Sequence, residues 1–251
     1  MQGGGNRMGE HQRVQICFRA ESGTGFLLAT SQEVRDRGST FVASAFRAVT
    51  PAEAAAAVKH LKFVLHASKP ATHEISAWRC MVLKNGCTGL GGLDDFEMKS
   101  GSQDDGESWA GGKVLKVMQS EGVIDVVIVV SRWYGGTMLG PARFAHIETC
   151  TREACRVFKR KDEMDDCIAT LSTLDDILSQ LREELAAFKP ASDAQGSSSS
   201  TLPSSRKSKQ PDYSALIETM DVNKAKRFIT AREKAIDNTK KLIFRAKTVT
   251  D

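Results

Sequence analysis

Apolar and polar positions alternate along this chain in a way that predicts a short series of elements. Two apolar runs, 14–20 (VQICFRA) and 24–30 (TGFLLAT), flank a glycine and predict a hairpin. Residues 40–49 (TFVASAFRAV) alternate and predict a strand. Thr50-Pro51 opens a helix, with Thr at the N-cap, Pro in the first turn and Glu53 behind it. Val58, Leu61, Phe63 and Leu65 share one side of that helix, and Lys69-Pro70 ends it. A second strand spans 71–84 (ATHEISAWRCMVLK), and the glycine-rich stretch 85–103 reads as an exposed, mobile loop. A helix carrying Val114, Leu115, Val117 and Met118 stops at Gly122. Residues 123–131 (VIDVVIVVS) are almost all β-branched, which predicts a buried central strand. Pro141 starts a helix through residue 158. The order β-β-α-β-α-β-α predicts an α+β domain over residues 13–160, with an about four-stranded sheet and helices on one face.

The pattern changes at Lys161. In 161–189, Leu171, Leu174, Leu178, Leu181, Leu185 and Phe188 recur at alternating steps of three and four, the stripe of an amphipathic helix. Within 162–188 eight acids face one base, Arg182. Residues 190–211 are a Ser/Pro-rich linker, and 212–251 predict a basic helix with nine bases against six acids. Two readings of the charged helices stand: they pair as a hairpin across the linker, or each keeps a solvated charged face. Residues 1–12 are glycine-rich and polar, as in disordered segments.

Composition excludes little. The net charge of +4 over 251 residues is too small to indicate nucleic-acid binding by itself. No run of eighteen apolar residues indicates a membrane span, and the N-terminus lacks an apolar signal region. The six cysteines form no C-x-x-C, so reduced thiols in a cytoplasmic protein are expected, with no cofactor and no metal. His146 and Cys150, one helical turn apart, read as core residues rather than ligands.

Two glycine motifs stand out. The first, DDGESWAGGK (104–113), holds Asp104, Asp105, Gly106, Glu107, Gly111 and Gly112 at a helix start. It lacks the Ser or Thr that a P-loop needs after its Lys, since Val114 follows Lys113. Asp105 as helix cap and Glu107 near the helix dipole account for it structurally, and three acids at one turn could also hold a cation. The second, SRWYGGTMLGPARFAHI (131–147), follows the central strand, where α/β sheets place their sites. Arg132 and Arg143 could grip an anion, or Arg132 could pair with Asp104 or Asp105. Trp133 and Tyr134 offer flat surfaces or close the core edge, and Gly135, Gly136 and Gly140 supply turns. No nucleophile stands with its base in either motif, so no catalytic residue is expected.

These blocks, with KPATHEISAWR (69–79) and DRGSTFVASAF (36–46), resemble the IMPACT/YigZ family (uncharacterised protein family 29), in its eukaryotic IMPACT-like form, over about residues 33–158. The resemblance implies a ribosomal protein S5 domain 2-like sandwich. It also implies a non-enzymatic, cytoplasmic regulator that restrains the amino-acid-starvation kinase by binding its ribosome-associated activator, with links to actin and to ribosomes. The motif residues, including His73, become its signature binding positions. Two departures show: no RWD domain is expected ahead of the shared strand, and Glu74 stands where the family usually has Asn after A-T-H. The alternatives are RNA binding through the basic 206–247 segment and an anion- or metal-dependent enzyme. All of these expectations need the acid-rich turn and the arginine-bearing turn to meet at one rim of the sheet.

Overall fold

The computed structural model describes residues 27–188 and 211–250, with side chains through Thr248. The expected strand at 14–20, the N-terminal residues 1–12 and nearly all of the 190–211 linker lie outside them.

Six antiparallel strands form one sheet: β1 (Leu27–Thr30), β2 (Val34–Asp36), β3 (Ser39–Arg47), β4 (His73–Leu83), β5 (Phe96–Gln103) and β6 (Val126–Trp133). Their order is β1-β3-β6-β4-β5, with β2 also on β3. The predicted central strand is β6, between β3 and β4, and Val126–Arg132 are all buried. A strand in an antiparallel sheet usually alternates; β6 does not, because helices cover both its faces.

That double cover corrects the expectation of helices on one face. Helix α1 (Pro51–His60) packs Ala54 and Ala57, with Leu61 beyond its end, against Phe46, Cys80, Val127 and Val129. The opposite face carries Phe41, Ala43, Ile75, Ile128 and Val130 beneath α2 (Ala110–Glu121) and α3 (Ala142–Ala187). Strand parity decides the split, since alternate residues of one strand feed the two cores. The Ala-rich face of α1 lets it lie close to the sheet, and its cap is as expected: Thr50 Oγ1 accepts the Glu53 N–H at 3.2 Å. A π-helical turn, Leu61–Leu65, continues the helix.

The glycine-rich segment is not loop throughout. Its second half is β5, paired with β4 in unbroken register. The strand escapes a pattern search because most of it is exposed and its glycine answers a neighbour: a Cβ on Gly101 would lie 2.7 Å from Trp78 Cζ2.

Helix α3 runs 46 residues, roughly 70 Å, straight through the composition change at Lys161. Its first part buries Ile147, Cys150, Ala154 and Phe158 under the sheet, and its second buries Met164, Cys167, Leu171 and Leu178. The chain re-enters at Pro211 beside Ile168 and Asp175, forms α4 (Ser214–Thr219) and then α5 (Val222–Thr250). Val222, Ala225, Ile229, Ile236, Thr239 and Ile243 make the inner stripe of α5. The acidic and basic helices do pair, but not as a hairpin. Glu163–Lys226, Asp175–Arg232 and Glu184–Lys247 advance together along both helices, so α3 and α5 run parallel. Tyr213 also donates its hydroxyl to Asp175, which fixes the re-entry point.

Candidate functional site

The two glycine motifs meet at one rim of the sheet, and Glu107 joins them. Its side chain is 6% exposed. One oxygen pairs with Arg132 at the end of β6, and the other accepts from Arg143 Nε at 2.8 Å in the first turn of α3. His73 Nε2, at the start of β4, lies 3.3 Å from the Arg132-bound oxygen. Arg132 sits between the rings of Phe41 and Tyr134, 5.4 and 5.5 Å from their centroids. Its Nε is buried without a hydrogen-bond partner. A buried carboxylate shared by two guanidinium groups is a strong constraint, because loss of one partner leaves an uncompensated charge in low dielectric.

The acids are assigned differently from the expectation. Asp104, not Asp105, caps α2: its carboxylate accepts the N–H groups of Trp109 at 3.0 Å and Gly111 at 2.8 Å. Asp105 turns the other way. Its side chain accepts the Glu74 N–H at 2.7 Å and lies 3.4 Å from Lys62 Nζ, and its carbonyl meets His73 Nδ1 at 2.8 Å. Glu107 serves the arginines rather than the helix dipole. Arg132 therefore pairs with the third acid of the motif, since Asp104 and Asp105 are committed to backbone N–H groups. Among the described residues no group of three or more His, Cys, Asp or Glu side chains is placed to hold a metal ion.

The glycines divide by need. Gly106 has φ +91°, and a Cβ there would press on His73 Nδ1 at 3.1 Å. Gly111 backs onto the Gln103 carbonyl at 2.8 Å, whereas Gly112 faces open space. Gly135 lies against Gly38, where a Cβ would fall 1.9 Å from a backbone carbon, and its N–H donates to Ser39 Oγ. Gly136 and Gly140 have positive φ with room around them.

The remaining expected residues complete the rim. Trp133 donates its indole N–H to the Lys69 carbonyl at 3.1 Å and meets the His66 ring edge-on. The Tyr134 N–H donates to Thr72 Oγ1 at 3.0 Å. His146 pairs with Asp36 at 2.8 Å, which holds the Asp36 carboxyl below its ordinary pKa. Cys150 is buried behind it, so the two form no ligand pair.

Sequence reasoning missed four participants. Glu74 is buried, with its oxygens on His66 Nδ1 at 2.8 Å and Ser131 Oγ at 2.6 Å. Lys62 belongs to the π-helical turn and His66 caps its C-terminal end. Trp109 is 80% exposed on a left-handed backbone, φ +73°. Bulky residues rarely adopt that conformation, so the fold presents this indole outward at a conformational cost. Its place inside DDGESWAGGK was the available signal. Met138, 83% exposed, and Phe63, Val64 and Leu65, all exposed, add apolar surface to the loops of this rim.

Residues 37–155 match the family described as the Impact N-terminal domain. The chain is 40% identical over 122 residues to Protein IMPACT of Bos taurus, covering 47% of this chain and 34% of that protein. It is 38% identical over 124 residues to the Protein IMPACT homolog of Saccharomyces cerevisiae, covering 49% and 44%. The matched segment thus spans less than half the length of these relatives. Among solved structures, the two-domain translational regulator Yih1 aligns with TM-score 0.36 and 31% identity, over 62% of this chain and 54% of that one. A crystal structure titled a hypothetical protein aligns with TM-score 0.40 and 25% identity, over 52% and 58%. Residues 37–155, the segment that matches the Impact N-terminal domain family, hold both glycine motifs and all four members of the ionic cluster.

Proposed function

We propose that this chain is a non-enzymatic, cytoplasmic translation regulator of the IMPACT type. It restrains the amino-acid-starvation kinase pathway by binding that kinase's ribosome-associated activator or the ribosome, and the rim around Glu107 is its recognition face. The observation that carries the reading is the contrast at that rim. The polar groups are locked inward by Glu107, Asp104 and Asp105, while Trp109, Tyr134 and Met138 point out at 80%, 45% and 83% exposure. Exposed aromatic and Met side chains, on a rim whose polar groups are already paired, are what a protein-binding hot spot offers. The match of residues 37–155 to the Impact N-terminal domain family supports the same class of role. A catalytic reading is disfavoured by the carboxylates, whose oxygens are taken up by backbone N–H groups and arginines.

The test is a crosslinking pulldown from amino-acid-starved cells with the full chain and its Trp109→Ala and Met138→Asp variants. Recovery of the kinase activator or ribosomal proteins by the parent chain, reduced at least fivefold by either variant, is expected. Equal recovery by all three chains removes the rim from the account, and recovery of neither partner removes the function.

One observation favours a second reading. Helix α5 carries nine bases against Glu233 and Asp237, and three of the nine, Lys226, Arg232 and Lys247, engage acids of α3. The other six supply an electrostatic footprint for RNA. RNA affinity that falls steeply with salt and is lost on deleting residues 206–251 supports it; affinity indifferent to salt removes it.

A further inference from the structure

The outer edge of β5 is the one long sheet edge of the domain that no described strand pairs with on one side of the glycine motifs' sheet. Its geometry points to a second copy of this chain as the occupant: we infer that β5 pairs antiparallel with β5 of a second copy about a two-fold axis at Met98, joining the two sheets.

The backbone comes first. The Lys84 N–H donates to the Asp95 carbonyl, so 84 and 95 are a hydrogen-bonded pair at the end of the β4–β5 ladder. The register from Ser76↔Gln103 to Leu83↔Phe96 is unbroken. In an antiparallel ladder such pairs alternate with pairs whose N–H and C=O groups face away. Phe96, Met98, Ser100 and Ser102 therefore aim their backbone groups at the free edge. A two-fold axis at Met98 sets Met98 against its own copy and Phe96 against the second copy's Ser100, each as a hydrogen-bonded pair.

Charge then selects the register. Glu97 and Lys99 lie 3.1 Å apart on one face of the strand. With the axis at Met98, each Glu97 faces the second copy's Lys99, and the reverse. An axis at residue 97 opposes two glutamates, one at 99 opposes two lysines, and one at 100 leaves both charges unmatched. Opposed like charges destabilise a strand pair and opposed unlike charges stabilise it. Of these four axes, only the one at Met98 sets both Glu97 and Lys99 against their opposites.

The other face adds an apolar reason. Met81 is cross-strand from Met98, and Leu83 from Phe96. Met81, Met98 and Leu83 are 36%, 38% and 43% exposed in the single chain. Pairing at Met98 brings two such strips together, which buries apolar surface in addition to the backbone bonds.

The experiment is sedimentation equilibrium of the full chain with three variants, each checked for an unchanged melting curve. The parent chain is expected to be in monomer–dimer equilibrium. Met98→Pro removes an outward N–H without touching a β4 bond and is expected to abolish the dimer. Glu97→Lys opposes lysines at two symmetric places and weakens the dimer about tenfold. The double variant Glu97→Lys/Lys99→Glu reverses every pair and is expected to restore it. A parent chain that stays monomeric up to its solubility limit overturns the inference. So does a dimer that Met98→Pro and Glu97→Lys leave intact, because it would use another surface.

Discussion

Glu107 Oε2 accepts from Arg143 Nε at 2.8 Å, a bond that reaches from the turn before α2 to the first turn of α3. The same carboxylate holds Arg132 on β6, so one buried side chain fixes three elements that are remote in sequence.

Glu107→Ala leaves Arg132 buried without a counter-charge and is expected to lower stability by about 3–5 kcal/mol. Glu107→Gln keeps one acceptor and costs less. The pair replacement Glu107→Leu/Arg132→Met recovers most of the loss, because well-packed apolar residues can replace a buried ion pair. Urea unfolding of the variants measures the differences. A Glu107→Ala cost under about 1 kcal/mol contradicts the assignment, as that is the range of exposed pairs.

The close approach of Gly135 to Gly38 predicts a sharp contrast between adjacent glycines. Gly135→Ala would place a Cβ 1.9 Å from Gly38 C, so β3 and β6 must separate at their ends. Gly136→Ala meets nothing within 4 Å and suffers only from its φ of +84°. The second is expected to cost about 1–2 kcal/mol, the left-handed penalty of an L residue, and the first clearly more. Thermal unfolding of the two variants, side by side, decides it.

Trp109 gives a prediction that separates folding from binding. An indole that packed into the core would cost about 3–5 kcal/mol to delete. Trp109 is 80% exposed with φ +73°, so Trp109→Gly removes little packing and relieves a left-handed backbone. Stability is expected to stay within about 1 kcal/mol of the parent, the strain relieved offsetting the glycine entropy. Partner capture in the pulldown is expected to fall all the same. Destabilisation comparable to a core deletion would make Trp109 a structural residue.

The parts of this fold legible in the sequence are those where local chemistry and tertiary role agree. Val126–Val130 read as a central strand because every neighbour is apolar, and Thr50 and Gly122 read as caps because their backbone geometry is set within one turn. The meeting of the two motifs was a requirement that their opposite charges suggested but did not establish, and Glu107 meets it with Arg132 and Arg143. Other features depend on contacts between residues far apart in sequence. Trp78 explains Gly101 and thereby β5. The choice among three adjacent acids turned on which backbone N–H groups lay in reach, so Asp104 became the cap and Glu107 the arginine partner. The parallel run of α3 and α5 rests on where Pro211 re-enters, which no periodicity encodes.

Asp125 carries the clearest pH dependence. It follows α2 with φ +55°, and its side chain accepts the Met81 N–H at 2.8 Å. Burial pushes its carboxyl pKa up, and the nearby Asp162 and Glu53 carboxylates add to that; the Met81 bond and Arg47 only partly oppose it. An acid that holds its proton more tightly folded than unfolded favours the fold at low pH. That contribution is complete below the unfolded pKa and is lost as pH rises through the folded value. At neutral pH the ionised Asp125 is therefore a net cost. Asp125→Asn keeps an acceptor for Met81, suits the left-handed backbone and removes the charge. Melting temperature is expected to rise at pH 7 and the gain to shrink toward about pH 3.5, below the ordinary Asp range. A gain of equal size at both pH values would trace to Asn's backbone preference alone. A loss at pH 7 would mean that Arg47 makes the carboxylate stabilising, contrary to the burial that dominates it.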